Sequence, residues 1–141
     1  MFKIEDVMTT NVITVPKDAF LNEVVKTLVQ YNITGMPVVD DNMFLSGIIS
    51  EKNVLNLLYN VEYCTSAKVE DFMTTDVVCF DVEDNLKDVC NCLMKNHFRR
   101  VPVLSKGKLV GIISRKNIIK TIFNYQDFFR DIPDKMMANS F

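Results

Sequence analysis

The second half of this chain repeats the first. Residues 4–13 read IEDVMTTNVI and residues 69–78 read VEDFMTTDVV, an offset of 65 residues. One residue then drops out at a turn, and GIISEKN at 47–53 matches GIISRKN at 111–117 with an offset of 64. Because a repeated sequence implies a repeated supersecondary unit, the duplication predicts two copies of one small fold that pack together.

A long helix is predicted in each copy from apolar residues at helical spacing. These positions are Leu21, Val24, Val25 and Leu28 in the first copy, and Leu86, Val89, Cys90 and Leu93 in the second. An acid is expected near the cap of each helix, at Asp18 in the first copy and at Glu83 and Asp84 in the second. The apolar positions are predicted to belong to the core.

Three strands and a short helix complete each copy. In the first copy, the strands are predicted at 12–15, at 36–39 and in the residues up to Ile49, with a polar turn at 40–42. The short helix should start after Ser50 and end near Tyr59. The second copy repeats this pattern, with a first strand at 77–80 and a last helix that follows Ser114 and ends near Phe123.

The order in each copy is therefore β-α-β-β-α. The predicted fold class is α+β (of the mixed α/β type), with two tandem repeats packed sheet to sheet about a pseudo-twofold axis. Each copy spans about 55 residues, which is near the lower limit for independent folding, so each sheet needs the other as a cover. The predicted domains are repeat 1 with its lead-in at 1–62, repeat 2 with its linker at 63–124, and a tail at 125–141 that could form a short helix.

The sequence predicts a cytoplasmic protein without a membrane partner. No apolar run approaches the roughly 20 residues of a membrane span. The N-terminus has acids and threonines where a secretory signal needs an apolar stretch. Since the repeat begins almost directly after Met1, a stand-alone protein or a cleanly bounded module is expected. Four cysteines lack zinc-site spacing and are expected to be free thiols: Cys64, Cys79, Cys90 and Cys92.

Charge is distributed unevenly along the chain. Residues 1–84 carry 14 acidic and five basic residues, whereas residues 85–120 carry nine basic residues and Asp88 as their one acid. A basic segment suggests phosphate or nucleic-acid binding. A pI of about 5.4 and the lack of a recognition helix or an aromatic platform disfavour nucleic acid.

Ser50 and Ser114 each stand between a strand and a helix. The first N–H groups of a helix have no partner within the helix, and the helix dipole adds partial positive charge there. The two serines therefore mark candidate anion sites. Asn53 and Asn117, three residues further on, are predicted to face the same clefts.

The repeated pattern Gly-hydrophobic-x-Ser-x-x-Asn, preceded by hydrophobic-Pro-Val and a hairpin, resembles the cystathionine-beta-synthase (CBS) domain pair, or Bateman module. The resemblance covers residues 4–123. It implies a regulatory module that needs no cofactor and binds an adenine nucleotide, above all AMP or ATP. Family members commonly dimerise through their short helices, here 51–59 and 115–123, so the resemblance implies a homodimer that acts on an unidentified effector protein.

Two ligand sites between the repeats follow from the same resemblance. One site is expected to combine Ser114, Arg115, Lys116 and Asn117 with Thr10, Val12, Ile13, Thr34, Gly35, Met36 and Pro37. The other site is expected to combine Ser50, Lys52 and Asn53 with Thr75, Val77, Val78, Arg99, Arg100, Val101 and Pro102.

The chain departs from the family at Asn53 and Asn117, where the family has an aspartate that binds ribose. An amide has one acceptor oxygen, so the charge-assisted hydrogen bonds of a carboxylate would be lost. The two sites should also differ, because Arg99 and Arg100 occupy the positions of Thr34 and Gly35. We expect multiply charged phosphates in the arginine-bearing cleft, and a nucleoside of little charge, or nothing, in the other.

No catalytic motif accompanies the repeat, so the sequence does not predict an enzyme. It contains no Gly-x-Ser-x-Gly, no Walker loop and no paired metal ligands, and its one histidine, His97, stands at a predicted helix end. The first alternative to a nucleotide sensor is a dimerisation module whose clefts hold no ligand. The second is a binder of another adenosyl ligand, such as S-adenosylmethionine, NADH or cyclic di-AMP.

Overall fold

The computed structural model describes residues 2–59 and 66–125. In the first repeat its elements are α1 (Ile4–Val7), β1 (Val15–Pro16), α2 (Leu21–Gln30), β2 (Gly35–Val39), β3 (Leu45–Ser50) and α3 (Glu51–Leu58). In the second repeat they are a 3-10 helix (Val69–Asp71), β4 (Phe80–Asp81), α4 (Leu86–Lys95), β5 (Arg100–Ser105), β6 (Lys108–Ser114) and α5 (Arg115–Tyr125).

The strands form two three-stranded sheets, one in each repeat. Their orders are β1-β2-β3 and β4-β5-β6. In both sheets the first pair is parallel and the second pair is an antiparallel hairpin with one irregularity in its register. The predicted α+β fold with two tandem repeats is confirmed.

The first strand of each sheet is shorter than predicted. Strand pairing begins at Val15 and at Phe80, three residues later than expected in both repeats. The reason is that the preceding residues come from the other sheet: Thr9 pairs with Ile112 through two backbone hydrogen bonds of 2.8 and 2.9 Å. The chain must leave that sheet before it can join its own.

The long helices form where the apolar periodicity predicts them, but their caps differ from the expectation. The N-cap residues are Phe20 and Asn85, not Asp18 or the acids at 83 and 84. Asn85 accepts a hydrogen bond from the backbone N–H of Lys87 at 2.9 Å, which satisfies one of the open donors of the first helical turn. Phe20 makes no side-chain cap hydrogen bond.

The lead segments with which the two repeats begin, residues 4–13 and 69–78, are exchanged between the cores. Ile4 and Val7 of α1 are buried in a cluster whose other buried residues all come from the second repeat, among them Leu93, Val101 and Ile113. Reciprocally, Val69 is fully buried in the core of the first repeat. The two repeats are therefore interlocked by their first residues as well as packed against one another.

Gly47 and Gly111 allow the exchanged segments to cross the sheets. A Cβ atom at Gly47 would lie 2.6 Å from the backbone oxygen of Thr74 and 2.8 Å from Sδ of Met73. A Cβ atom at Gly111 would lie 2.6 Å from Sδ of Met8 and 3.0 Å from the backbone oxygen of Thr9. This close approach gives a physical reason for the repeated glycine.

The last helix, α5, continues to Tyr125, two residues beyond the predicted end at Phe123. The predicted boundary between the domains at 62 and 63, most of the linker, and the tail from residue 126 onward lie outside the described residues. Among the helices that the structure describes, none is long and apolar enough to cross a membrane.

Candidate functional site

Two clefts open between the repeats, and the larger one, cleft A, has a volume of about 520 Å³. Its polar side is formed by the start of α3 and by the residues around the start of β5. Its lining residues are Thr34, Gly35, Met36, Pro37, Ile48, Ser50, Glu51, Lys52, Thr74, Asp76, Val77, Val78, His97, Phe98, Arg99, Arg100, Pro102 and Ile112. Both repeats contribute, as the sequence predicts.

The smaller cleft, cleft B, has a volume of about 230 Å³ and lies at the start of α5. It is lined by Thr9, Asn11, Val12, Ile13, Ile33, Gly35, Pro37, Arg100, Ile112, Ser114 and Asn117. No carboxylate is among these residues. Gly35, Pro37, Arg100 and Ile112 line both clefts, which therefore share one wall.

Ser50 and Asn53 form a reciprocal cap at the start of α3. Asn53 Oδ1 accepts from the Ser50 N–H at 3.0 Å and from Ser50 Oγ at 2.7 Å, and Ser50 Oγ accepts from the Asn53 N–H at 3.3 Å. Asn53 Nδ2 donates to Thr74 Oγ1 at 3.5 Å. The amide side chain is thus committed to the helix start and to the exchanged lead segment, and it does not line cleft A.

The start of α5 has an equivalent cap, but here the asparagine also lines a cleft. Asn117 Oδ1 accepts from the Ser114 N–H at 2.9 Å, and Ser114 Oγ accepts from the Asn117 N–H at 3.1 Å. Asn117 and Ser114 both line cleft B. The two asparagines therefore have the same structural role, but only Asn117 borders a cleft.

Arg99 and Arg100, together with Lys52, supply the positive charge of cleft A. Both side chains are partly buried, and neither guanidinium makes a hydrogen bond or an ion pair with any residue that the structure describes. Burial, and secondly the neighbouring charge of Arg99, lowers the pKa of Arg100 from its ordinary value. A guanidinium nevertheless keeps its charge in proteins. An unpaired, partly buried cation that faces a cleft favours an anionic ligand.

Arg115 has a structural role instead. Its Nε donates to the backbone oxygen of Leu93 at 3.0 Å, and one of its terminal nitrogens donates to the backbone oxygen of Asn96 at 2.7 Å. These two carbonyl groups belong to the last turn of α4 and the residue after it, where a helix leaves acceptors unpaired. The guanidinium ties α4 to the start of α5 and lines neither cleft.

The structure distributes the predicted site residues unevenly. Cleft B receives Val12, Ile13, Gly35, Pro37, Ser114 and Asn117 from its predicted set, whereas Thr34 and Met36 line cleft A, and Thr10, Arg115 and Lys116 line neither. Cleft A receives Ser50, Lys52, Val77, Val78, Arg99, Arg100 and Pro102 from its own set, and Asn53, Thr75 and Val101 are absent from its lining. Val101 is fully buried, because alternate residues of a strand face opposite sides.

Several lining residues were missed by the sequence interpretation. In cleft A these are Ile48, Glu51, Thr74, Asp76, His97, Phe98 and Ile112, and in cleft B they are Thr9, Asn11, Ile33, Arg100 and Ile112. The repeat carried a signal for some of them. Thr9 with Thr74, and Asn11 with Asp76, occupy equivalent positions: the first-copy members line cleft B and the second-copy members line cleft A.

The short helices carry an exposed apolar surface outside the clefts. On α3 and at its C-cap, Leu55 is 70% exposed, Leu58 is 42% exposed and Tyr59 is 90% exposed. On α5, Ile119, Ile122 and Tyr125 are also exposed. Among the described residues, no group of acidic, histidine and cysteine side chains could hold a metal ion.

The CBS domain family model matches residues 4–60 and 69–124 of this chain. A crystal structure of CBSX2 in complex with AMP (from Arabidopsis thaliana) superposes with a TM-score of 0.80 at 30% identity, over 89% of this chain and 99% of that one. The match between the two folds therefore extends over nearly all of the solved chain.

Two curated relatives come from Methanocaldococcus jannaschii. An uncharacterised protein is 34% identical over 119 residues, which is 84% of this chain and 42% of the relative. An inosine-5′-monophosphate dehydrogenase is 32% identical over 119 residues, which is 84% of this chain and 23% of that enzyme. The chain thus spans less than half the length of either relative.

Proposed function

Because the chain belongs to the CBS domain family and contains two repeats, we propose that it is a regulatory module that binds an adenine nucleotide, AMP or ATP, in cleft A. The observation that carries the proposal is the pair of unpaired arginines, Arg99 and Arg100, in a cleft that also contains the start of α3. The CBSX2 structure in complex with AMP supports the choice of an adenine nucleotide.

The chemistry of cleft A suits the parts of a nucleotide. Lys52 and the two arginines provide cations for phosphate oxygens, and the Ser50 hydroxyl provides a further polar group. Ile48, Val77 and Val78 provide an apolar wall on which a flat base can lie. Three cationic side chains favour a nucleotide with several phosphate charges over a nucleoside.

Cleft B suits a smaller or less charged ligand. Among the described residues that line cleft B, Arg100 is the one basic residue, and the volume of cleft B is less than half that of cleft A. In the proposal, cleft B binds a nucleoside-like group weakly or stays empty.

The proposed mechanism is a shift between conformations of a homodimer in the cytoplasm. The exposed apolar residues of α3 and α5 form a surface suited to a second copy of the chain. A ligand that contacts both repeats would stabilise one relative orientation, and it shifts the equilibrium only as far as its affinities for the two states differ. An effector protein would read the resulting dimer geometry. The chain itself supplies no catalytic step in this scheme.

The alternative is a dimerisation module without a ligand, and the exposed surface of α3 and α5 is the observation that favours it. Under this alternative Arg99 and Arg100 would bind no ligand and would only be hydrated in the cleft. Binding of another adenosyl ligand, such as S-adenosylmethionine, NADH or cyclic di-AMP, is the other alternative.

A thermal-unfolding panel tests the proposal. The ligands are AMP, ADP, ATP, S-adenosylmethionine, NADH and cyclic di-AMP, with GMP as the control. A ligand at 100 times its dissociation constant stabilises the folded state by about 2.7 kcal/mol, which raises Tm by several degrees in a chain of this size. A shift with AMP or ATP but not with GMP would support the nucleotide sensor. No shift with any ligand, together with a dimer in sedimentation, would favour the ligand-free module.

A further inference from the structure

A ribonucleotide in cleft A would present two ribose hydroxyl groups that need hydrogen-bond acceptors. The residue at the position where the family has its aspartate is Asn53, and its Oδ1 already accepts two hydrogen bonds from Ser50, at 3.0 and 2.7 Å. An amide oxygen has two lone pairs. The acceptor capacity of Asn53 is therefore used within the protein, and its side chain does not line the cleft.

Asp76 is a carboxylate in cleft A that is not used in this way. It lies on the exchanged lead segment between Thr74 and Val77, its side chain is exposed, and it makes no hydrogen bond or ion pair with any described residue. An ionised carboxylate has two oxygens and can accept from both hydroxyls of a vicinal diol. Glu51, the other carboxylate in the lining, is the first residue of α3, at the helix end where the phosphate is expected.

The repeat provides an internal comparison for this position. Asn11 is the equivalent of Asp76 in the first copy, and it lines cleft B. The fold therefore turns this position toward a cleft in both copies. Only the second copy places a charged acceptor there, in the same cleft as Arg99 and Arg100.

We propose that Asp76 is the ribose acceptor of cleft A and makes this cleft selective for ribonucleotides over nucleotides that lack the ribose diol. The inference rests on the proposed function, because it places the phosphates at the arginines and thereby leaves the ribose for Asp76. In this arrangement the anionic side chain and the two cations contact different parts of one ligand. Cleft B, with Asn11 and no carboxylate, discriminates less between ribose and dideoxyribose.

The test compares ATP with 2′,3′-dideoxy-ATP by isothermal titration calorimetry on the wild-type protein, Asp76→Asn and Glu51→Gln. A single hydrogen bond to a charged acceptor corresponds to about a tenfold preference, so with two hydroxyls we expect the wild type to bind ATP at least about tenfold more tightly than the dideoxy form. Asp76→Asn should reduce this ratio to about twofold. Glu51→Gln removes the same charge from the same cleft and should leave the ratio near its wild-type value.

The ratio of the affinities for ATP and its dideoxy form distinguishes hydrogen bonds to the ribose from a general electrostatic effect. Removal of a negative charge near phosphate changes both affinities by the same factor, and it leaves the ratio unchanged. If Asp76→Asn keeps the wild-type ratio, or if the wild type binds both nucleotides equally, the role of Asp76 is wrong while the proposed function stands. If the wild type binds neither of these nucleotides and does not bind AMP, the proposed function fails and this inference fails with it.

The reciprocal variant, Asn11→Asp, extends the test to cleft B. Asparagine and aspartate have nearly the same shape, and each occurs naturally at this position in one copy of the repeat. If cleft B binds ATP, the variant should raise the preference of that cleft for ATP over the dideoxy form by several fold. An unchanged preference would contradict the idea that the position faces the ribose.

Discussion

Cleft A and cleft B are formed by equivalent elements of one duplicated sequence, yet they present different charges. Cleft A combines Arg99, Arg100 and Lys52 with Asp76 and Glu51, whereas Arg100 is the one charged side chain among the described residues that line cleft B. The helix caps beside the clefts, by contrast, have kept nearly the same geometry. The two repeats have therefore kept the same backbone elements and helix caps at both sites. A few side chains that line the clefts give the two sites different charges.

The largest effect is expected from removing both arginines of cleft A. Arg99→Ala with Arg100→Ala should weaken ATP binding about a hundredfold, because each hydrogen bond to a charged group contributes about 1.5–3 kcal/mol. Adenosine, which has no phosphate, should lose less than about threefold. Calorimetry with both ligands measures the difference. Lys87→Ala with Lys95→Ala changes the net charge equally on the exposed surface of α4 and is the control. Equal losses for ATP and adenosine would contradict a phosphate role.

The two crossing glycines allow the repeats to be compared in stability. Gly47→Ala should destabilise the protein by about 1–3 kcal/mol, because its Cβ meets the backbone oxygen of Thr74 at 2.6 Å. Gly111→Ala should cost less, since its nearest neighbour is the flexible end of Met8. Urea unfolding measures both. Adding Met8→Ala to Gly111→Ala should relieve part of that clash, and an equal cost for the two glycine variants would show that both crossings are equally rigid.

Because the two clefts share one wall, we expect substitution of Arg99 and substitution of Arg100 to affect ligand binding differently. Arg99 lines cleft A alone, whereas Arg100 lines both clefts. Arg99→Ala should therefore weaken phosphate binding in cleft A about tenfold and leave cleft B unchanged. Arg100→Ala should weaken phosphate binding in cleft A to a similar extent and should also weaken any binding of a phosphorylated ligand in cleft B. Calorimetric titration with AMP measures the affinities of both variants. An effect of Arg100→Ala on one cleft alone would contradict a functional role of Arg100 in both clefts.

The smallest effects are expected at the helix-cap asparagines. Asn53→Ala and Asn117→Ala should each lower stability by about 1 kcal/mol, because each removes a side-chain acceptor from the start of a helix. Only Asn117 lines a cleft, so Asn117→Ala should also weaken cleft B, while Asn53→Ala should change cleft A by no more than about twofold. Urea unfolding and nucleotide titration on the same samples measure both effects. A large loss of affinity in Asn53→Ala would show that its amide turns toward the ligand.

The framework was predictable from the sequence because it depends on local patterns that occur twice. The apolar spacing around Leu21 and Leu86 predicts the long helices, and Ser50 and Ser114 predict the short ones. The exchange of the lead segments was not predictable from spacing. It depends on which sheet accepts Thr9 and Thr74, and a single copy of the repeat carries no information about its partner sheet.

The site was predictable in part. Arg99 and Arg100 line cleft A as expected, because they directly precede a strand that ends at the cleft. Asn53 and Arg115 were expected at the ligand, but their hydrogen bonds are made within the protein, to Ser50 in one case and to α4 in the other. Which of a side chain's neighbours it bonds depends on the packed helix ends, and that arrangement is three-dimensional information.

The exchanged lead segments also bear on the origin of such a chain. If the two repeats were separate polypeptides, the same contacts would form between them only if each donated its first turn to the other. A free half of this chain would expose the apolar surface that Val69, or Ile4 and Val7, now covers. A single-repeat ancestor with these contacts would thus have been an obligate segment-swapped dimer. Fusion of its two copies into one gene would then have let each cleft diverge independently.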